Sequence, residues 1–118
     1  MRLFILLLMS LFAPGQVLAA SAALEIFDAH IHYSSDVWDK LPPQRALELL
    51  TEAGVTRALV SATPGAGAER LYRVAPERVV PFLRPYASRE HRYTWFRDAE
   101  VMDYLHAQLA RIPYRGIG

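Results

Sequence analysis

The sequence predicts an α/β protein built from parallel βα units. Short β-rich runs alternate with stretches of helical periodicity. Strand starts recur near residues 24, 55, 79 and 114, a separation that fits one strand plus one helix. Two histidines stand at the carboxyl end of the first strand, the end at which parallel βα folds gather their sites.

The elements follow in chain order. Residues 1–22 carry one charge, Arg2, then an apolar run from Leu3 to Ala13, then the small residues Ala20-Ser21-Ala22. This order is that of a secretory signal peptide. Pro14 and Gly15 limit the run to 11 residues, short of the about 20 that span a bilayer. We therefore expect cleavage after Ala19 or Ala22, a secreted or periplasmic mature protein, and no membrane span after cleavage.

Leu24–Asp28 is the first strand candidate. Pro42-Pro43 opens a helix, because proline suits a first turn, and Ala46, Leu47, Leu50 and Ala53 share one face. Gly54 ends it. Val55–Ala62 reads as a buried strand, and Pro64-Gly65-Ala66-Gly67 as a loop. Ala68, Leu71, Tyr72 and Ala75 form the face of a second helix, which Pro76 stops. Val79–Leu83 is a third strand, with Pro81 awkward inside it. Asp98 is the expected N-cap of a third helix, whose face is Val101, Tyr104, Leu105, Leu109 and Ile112. Tyr114–Gly118 opens a fourth strand. Ending there, with a parallel edge uncovered, is what we expect of a truncated reading frame.

Without residues 1–22 the 13 Lys+Arg fall to 12, equal to the 12 Asp+Glu. With no basic run and no net charge, nucleic acid is not an expected partner, and a small-molecule substrate is. The absence of cysteine excludes disulfides, thiolate metal sites and a cysteine nucleophile, so an exported domain must stabilise itself through its core.

The chemistry centres on Asp28-Ala29-His30-Ile31-His32. Strand side chains alternate with period two, so His30 and His32 are expected on one side. Two imidazoles on one side can hold one divalent metal, zinc being well suited. By the same period Asp28 is expected beside them, either to orient a ligand histidine as a hydrogen-bond acceptor or simply to hydrogen-bond within the core. Arg84 and Tyr86, near the end of the third strand, either bind an anionic group of a substrate or pair structurally with Asp or Glu. His91 follows them, either as a substrate contact or within a solvated charged loop. Trp38 either lines the pocket or staples its own loop, and Trp95 and Phe96 are expected to pack under the third helix.

Phe27-Asp28-Ala29-His30-Ile31-His32 resembles the first-strand metal motif of the amidohydrolase superfamily, in particular amidohydrolase family 2. Ala53-Gly54-Val55-Thr56-Arg57-Ala58-Leu59-Val60-Ser61-Ala62-Thr63-Pro64, Pro76-Glu77-Arg78-Val79-Val80-Pro81-Phe82 and Tyr114-Arg115-Gly116-Ile117-Gly118 are similar to the family as well. The resemblance implies that residues 23–118 are the N-terminal part of a (β/α)8 TIM barrel, roughly its first three to four βα units. It implies a metal-dependent hydrolase, with some decarboxylases among the relatives, and the metal ligands His30 and His32. The family's remaining ligands and its catalytic aspartate belong to later strands, so this chain alone is expected to be inactive. Two alternatives stand beside it. One is a phosphoesterase of the polymerase-and-histidinol-phosphatase type, which also begins with H-x-H, although Ser61-Ala62-Thr63 lacks the Asp-His pair expected there. The other is a non-enzymatic exported binding module.

Export gives the first prediction. N-terminal sequencing of the secreted product should begin at Ala20 or Ala23, and soluble cytoplasmic protein retaining Met1 would refute the signal.

Overall fold

Four strands lie side by side in the order in which the chain makes them. A computed structural model describes residues 24–118; the expected signal peptide lies outside the described residues. The elements are β1 (Ile26–His32), α1 (Pro43–Glu52), β2 (Val55–Ser61), α2 (Ala66–Val74), β3 (Val79–Leu83), α3 (Val101–Leu109) and β4 (Gly116–Ile117). Every strand pair is parallel and the order is β1-β2-β3-β4. Among the described residues no helix is long and apolar enough to cross a membrane.

Alternation along β2 and β3 divides the sheet into two unlike faces. Ala58, Val60, Ala62 and Val79 are buried in one core with Ala46 and Leu47 of α1 and Ala68 and Leu71 of α2. Small residues on the strands let the helices approach, and each buried leucine contributes about 2 kcal/mol of transfer free energy. The other face carries Phe27, Arg57, Leu59, Val80 and Phe82, none of them buried, and among the described residues no helix covers it. Phe27 is 48% exposed, with the Arg57 guanidinium 5.9 Å from its ring centroid.

The expected boundaries hold for β3 and come close for β2 and α1. Gly54 has φ +74°, the left-handed conformation that ends a helix without a Cβ penalty. Pro81 is tolerated because its carbonyl accepts from Arg115 N–H (2.9 Å). Its own nitrogen therefore faces β4, whose pairing begins only at Gly116, so no ladder bond is lost. Four expectations need correction. The first strand runs on to His32. Ala66 and Gly67 belong to α2 and not to the loop. The third helix starts two residues late, with Glu100 and not Asp98 at the N-cap: Asp98 Oδ1 accepts from Glu100 N–H at 2.9 Å, an Asx turn ahead of the helix. Phe96 is 60% exposed and is no part of the core; a pair of short 3-10 turns, Glu90–Tyr93 and Trp95–Arg97, turns it outward.

One buried acid ties α2 to the chain after α3. The Glu69 side chain is 8% exposed, and Arg111 Nε donates to it at 2.6 Å and Arg73 Nη2 at 2.8 Å. Arg111, and then Arg73, hold its carboxyl below the ordinary value of 4.5 in spite of burial. Such a depressed carboxyl stabilises fully above its unfolded value, and the contribution fades as pH falls through the folded one. Glu69→Gln should therefore lower the melting temperature by several degrees at pH 7, with the deficit shrinking below pH about 4. Thermal unfolding across pH reads this out; a deficit independent of pH would contradict it.

Candidate metal and anion site

The carboxyl ends of β1, β2 and β3 each contribute a polar side chain to one spot. From β1 come His30 and His32, whose Nε2 atoms lie 3.1 Å apart with the rings edge to face at 66°. Two ligands of one tetrahedral zinc, each 2.0–2.1 Å from it, stand about 3.3 Å apart. The pair thus converges as a metal would require. Among the described residues no third histidine, aspartate or glutamate joins them into a group that could hold a metal ion.

The strand end is not regular. Asp28 pairs with Ala58 but Ile31 pairs with Val60, so β1 carries one extra residue and a bulge. A bulge re-aims side chains, and the period-two argument does not run through it from Asp28 to His30. Asp28 instead stands level with Ala58 of the helix-covered face, and His32 with Ser61 of the open one. The expectation that Asp28 shares the histidines' side is corrected accordingly. Its Oδ1 accepts the His30 backbone N–H at 3.0 Å, so it holds the bulge and not an imidazole.

Ser61, at the end of β2, is the hub of the site. Its Oγ lies 3.0 Å from His32 Nδ1 and accepts from Arg84 Nε at 3.3 Å. With the proton on Nδ1 donated to Ser61, the lone pair of His32 is on Nε2, the atom that faces His30. Arg84, just past β3, also donates from Nη1 to Thr63 Oγ1 at 3.1 Å. Its Nη2 sits 2.8 Å from His32 Nε2 and 2.9 Å from Nδ1. Burial first, then the Arg84 guanidinium and then His30 hold the His32 imidazolium below the usual histidine range. That favours the neutral ring, which is the form that binds metal.

A cleft of about 370 Å³ opens beside this cluster, lined by His32, Thr63, Arg84, Tyr86, Arg89 and Arg92 together with Ser34 and Asp36. Arg84 and Tyr86 thus share this cleft with His32, and the Arg84 guanidinium lies 5.6 Å from the Tyr86 ring centroid. His91 does not: it lines the neighbouring cleft with Trp95, Asp98 and Tyr104, because the 3-10 turn at Glu90–Tyr93 points it away. Trp38 is a staple, donating from Nε1 to Tyr33 O at 3.2 Å with Arg70 4.5 Å from its ring centroid. Sequence reasoning missed Ser61 as a positioning group, and also Thr63, Arg89 and Arg92. Their places beyond the carboxyl ends of β2 and β3 were the available signal.

Replacing Arg84 by Gln should raise the His32 pKa toward 6.5, since a neighbouring positive charge is removed while burial stays. Titration of the imidazole Hε1 signals by NMR reads the shift, and an unmoved curve would show that the guanidinium does not bear on the ring. No protein-family model matches the chain, and neither the curated proteins nor the solved structures yield a similar one.

Proposed function

We propose that this chain provides the opening units of an exported, metal-dependent hydrolase of the amidohydrolase type, on a TIM barrel, acting on a small molecule. The observation that carries the reading is the 3.1 Å approach of His30 Nε2 and His32 Nε2 at the carboxyl end of the first strand of a parallel sheet. Strands in chain order with helices on one face agree with a barrel wall whose open side is the interior.

His30 and His32 would hold the divalent metal, zinc by donor chemistry. Bound there, it would supply Lewis acidity and a water activated at neutral pH to attack a C–N or C–O centre. The chain's own residues prepare for this. Ser61 fixes the His32 tautomer, Asp28 fixes the backbone of His30, and partial burial keeps the His32 ring neutral. Arg84 holds a positive charge beside the pair, where it can orient a negatively charged oxygen of the substrate. A second reading, a binding module without catalysis, is favoured by Arg84, whose Nη2 lies 2.9 Å from His32 Nδ1 and 2.8 Å from Nε2, since a guanidinium set against the ring repels a divalent cation bound to it.

Metal titration separates the two. Calorimetric addition of Zn²⁺ should give weak one-to-one binding, reduced roughly tenfold or more in His30→Ala and in His32→Ala. The melting temperature should hardly change, because neither histidine belongs to the buried core. Equal zinc affinity in wild type and both variants would leave the histidines structural.

A further inference from the structure

The cleft carries more positive charge than the protein itself balances. Three guanidiniums, Arg84, Arg89 and Arg92, line it against one carboxylate, Asp36. Asp36 is already engaged, 2.7 Å from Arg89. Arg84 is half-buried, yet among the described residues its hydrogen-bond partners are two hydroxyls and an imidazole, all neutral. Residues 1–23 contain no Asp or Glu, so no further acid exists there to pair with it. A partly desolvated cation lacking a counter-charge is costly, and an incoming anion recovers that cost.

The remaining donors match an oxyanion. Arg84 has five N–H groups, and Nε, Nη1 and Nη2 each commit one to the protein. One N–H therefore remains on each terminal nitrogen, the pairing that suits a carboxylate or a phosphate. Thr63 Oγ1 and Ser34 Oγ both act as acceptors, from Arg84 and from Thr63 N–H (3.1 Å). Their own hydroxyl hydrogens are left to donate. About 370 Å³ is the size of a small-molecule site.

We propose that this cleft is an oxyanion subsite, in which Arg84, Arg89 and Arg92 bind a carboxylate or phosphate group of a small molecule next to the imidazole pair. As a statement about substrate this rests on the hydrolase reading; as a statement about binding it stands on the cleft alone.

The experiment keeps the two apart by omitting metal. The full chain, freed of metal on a chelating resin and kept at low ionic strength, is titrated with malonate, with inorganic phosphate and with neutral malonamide, and followed through the arginine Nε–Hε signals. Malonate, phosphate or both should saturate a single site while malonamide does not; which anion saturates it identifies a carboxylate or a phosphate subsite. Arg84→Gln should weaken binding about tenfold, as expected for one charge-assisted contact. The double variant Arg89→Gln/Arg92→Gln, altered only at exposed positions, should do at least as much. Arg97→Gln removes the same charge outside the cleft and should leave affinity unchanged. Absence of saturation by either anion, saturation by malonamide, or an equal loss from Arg97→Gln would overturn the proposal. Anion binding that persists where zinc binding fails would remove the hydrolase reading and leave the subsite standing.

Discussion

Parallel pairing between β1 and β2 continues past the last residue of either strand. Tyr33 N–H donates to Ser61 O at 3.2 Å, Ser35 N–H to Thr63 O at 3.3 Å, and Thr63 N–H to Ser34 Oγ at 3.1 Å. This extension converts two loops into a fixed floor. It is held from below by α2, whose Gly67 packs so closely that a Cβ there would stand 1.9 Å from Tyr33 O and 2.6 Å from the Ala62 Cβ. Only glycine permits that approach. His32, Ser61 and Thr63 owe their mutual distances to this floor, and Arg84 is seated by hydrogen bonds to all three.

The site is therefore an electrostatic arrangement resting on a rigid backbone. One face of the sheet is a dry seam of alanine, valine and leucine. The polar cluster occupies the carboxyl end of the other face, where strand side chains are free to meet one another. Partial desolvation there keeps one imidazole neutral and makes an unpaired guanidinium attractive to anions. Both effects need a low-dielectric neighbourhood, which the packed strands supply.

Much of this was legible in the sequence. Gly54, Pro43 and Pro76 mark element ends through backbone chemistry that tertiary packing does not override, and β3 was readable despite Pro81. The pairing of His30 with His32 followed from their spacing within one strand. What could not be read depends on contacts distant in the chain. The bulge that moves Asp28 away from the histidines arises from the register between β1 and β2, and register is invisible in a single strand's alternation. The convergence of Arg89 and Arg92 on the cleft depends on a 3-10 turn in a charged loop that has no periodic signature. Phe96 looked like core by composition, and the same turns expose it.

The order of the strands bears on how the chain reaches this structure. Each strand pairs with the one made just before it, so no segment waits for a distant partner. Loop-closure entropy is met in short instalments, one βα unit at a time. A growing edge is always present, and the next strand to appear is the one that fits it. Assembly can then proceed in the direction of synthesis, each unit serving as the template for its successor.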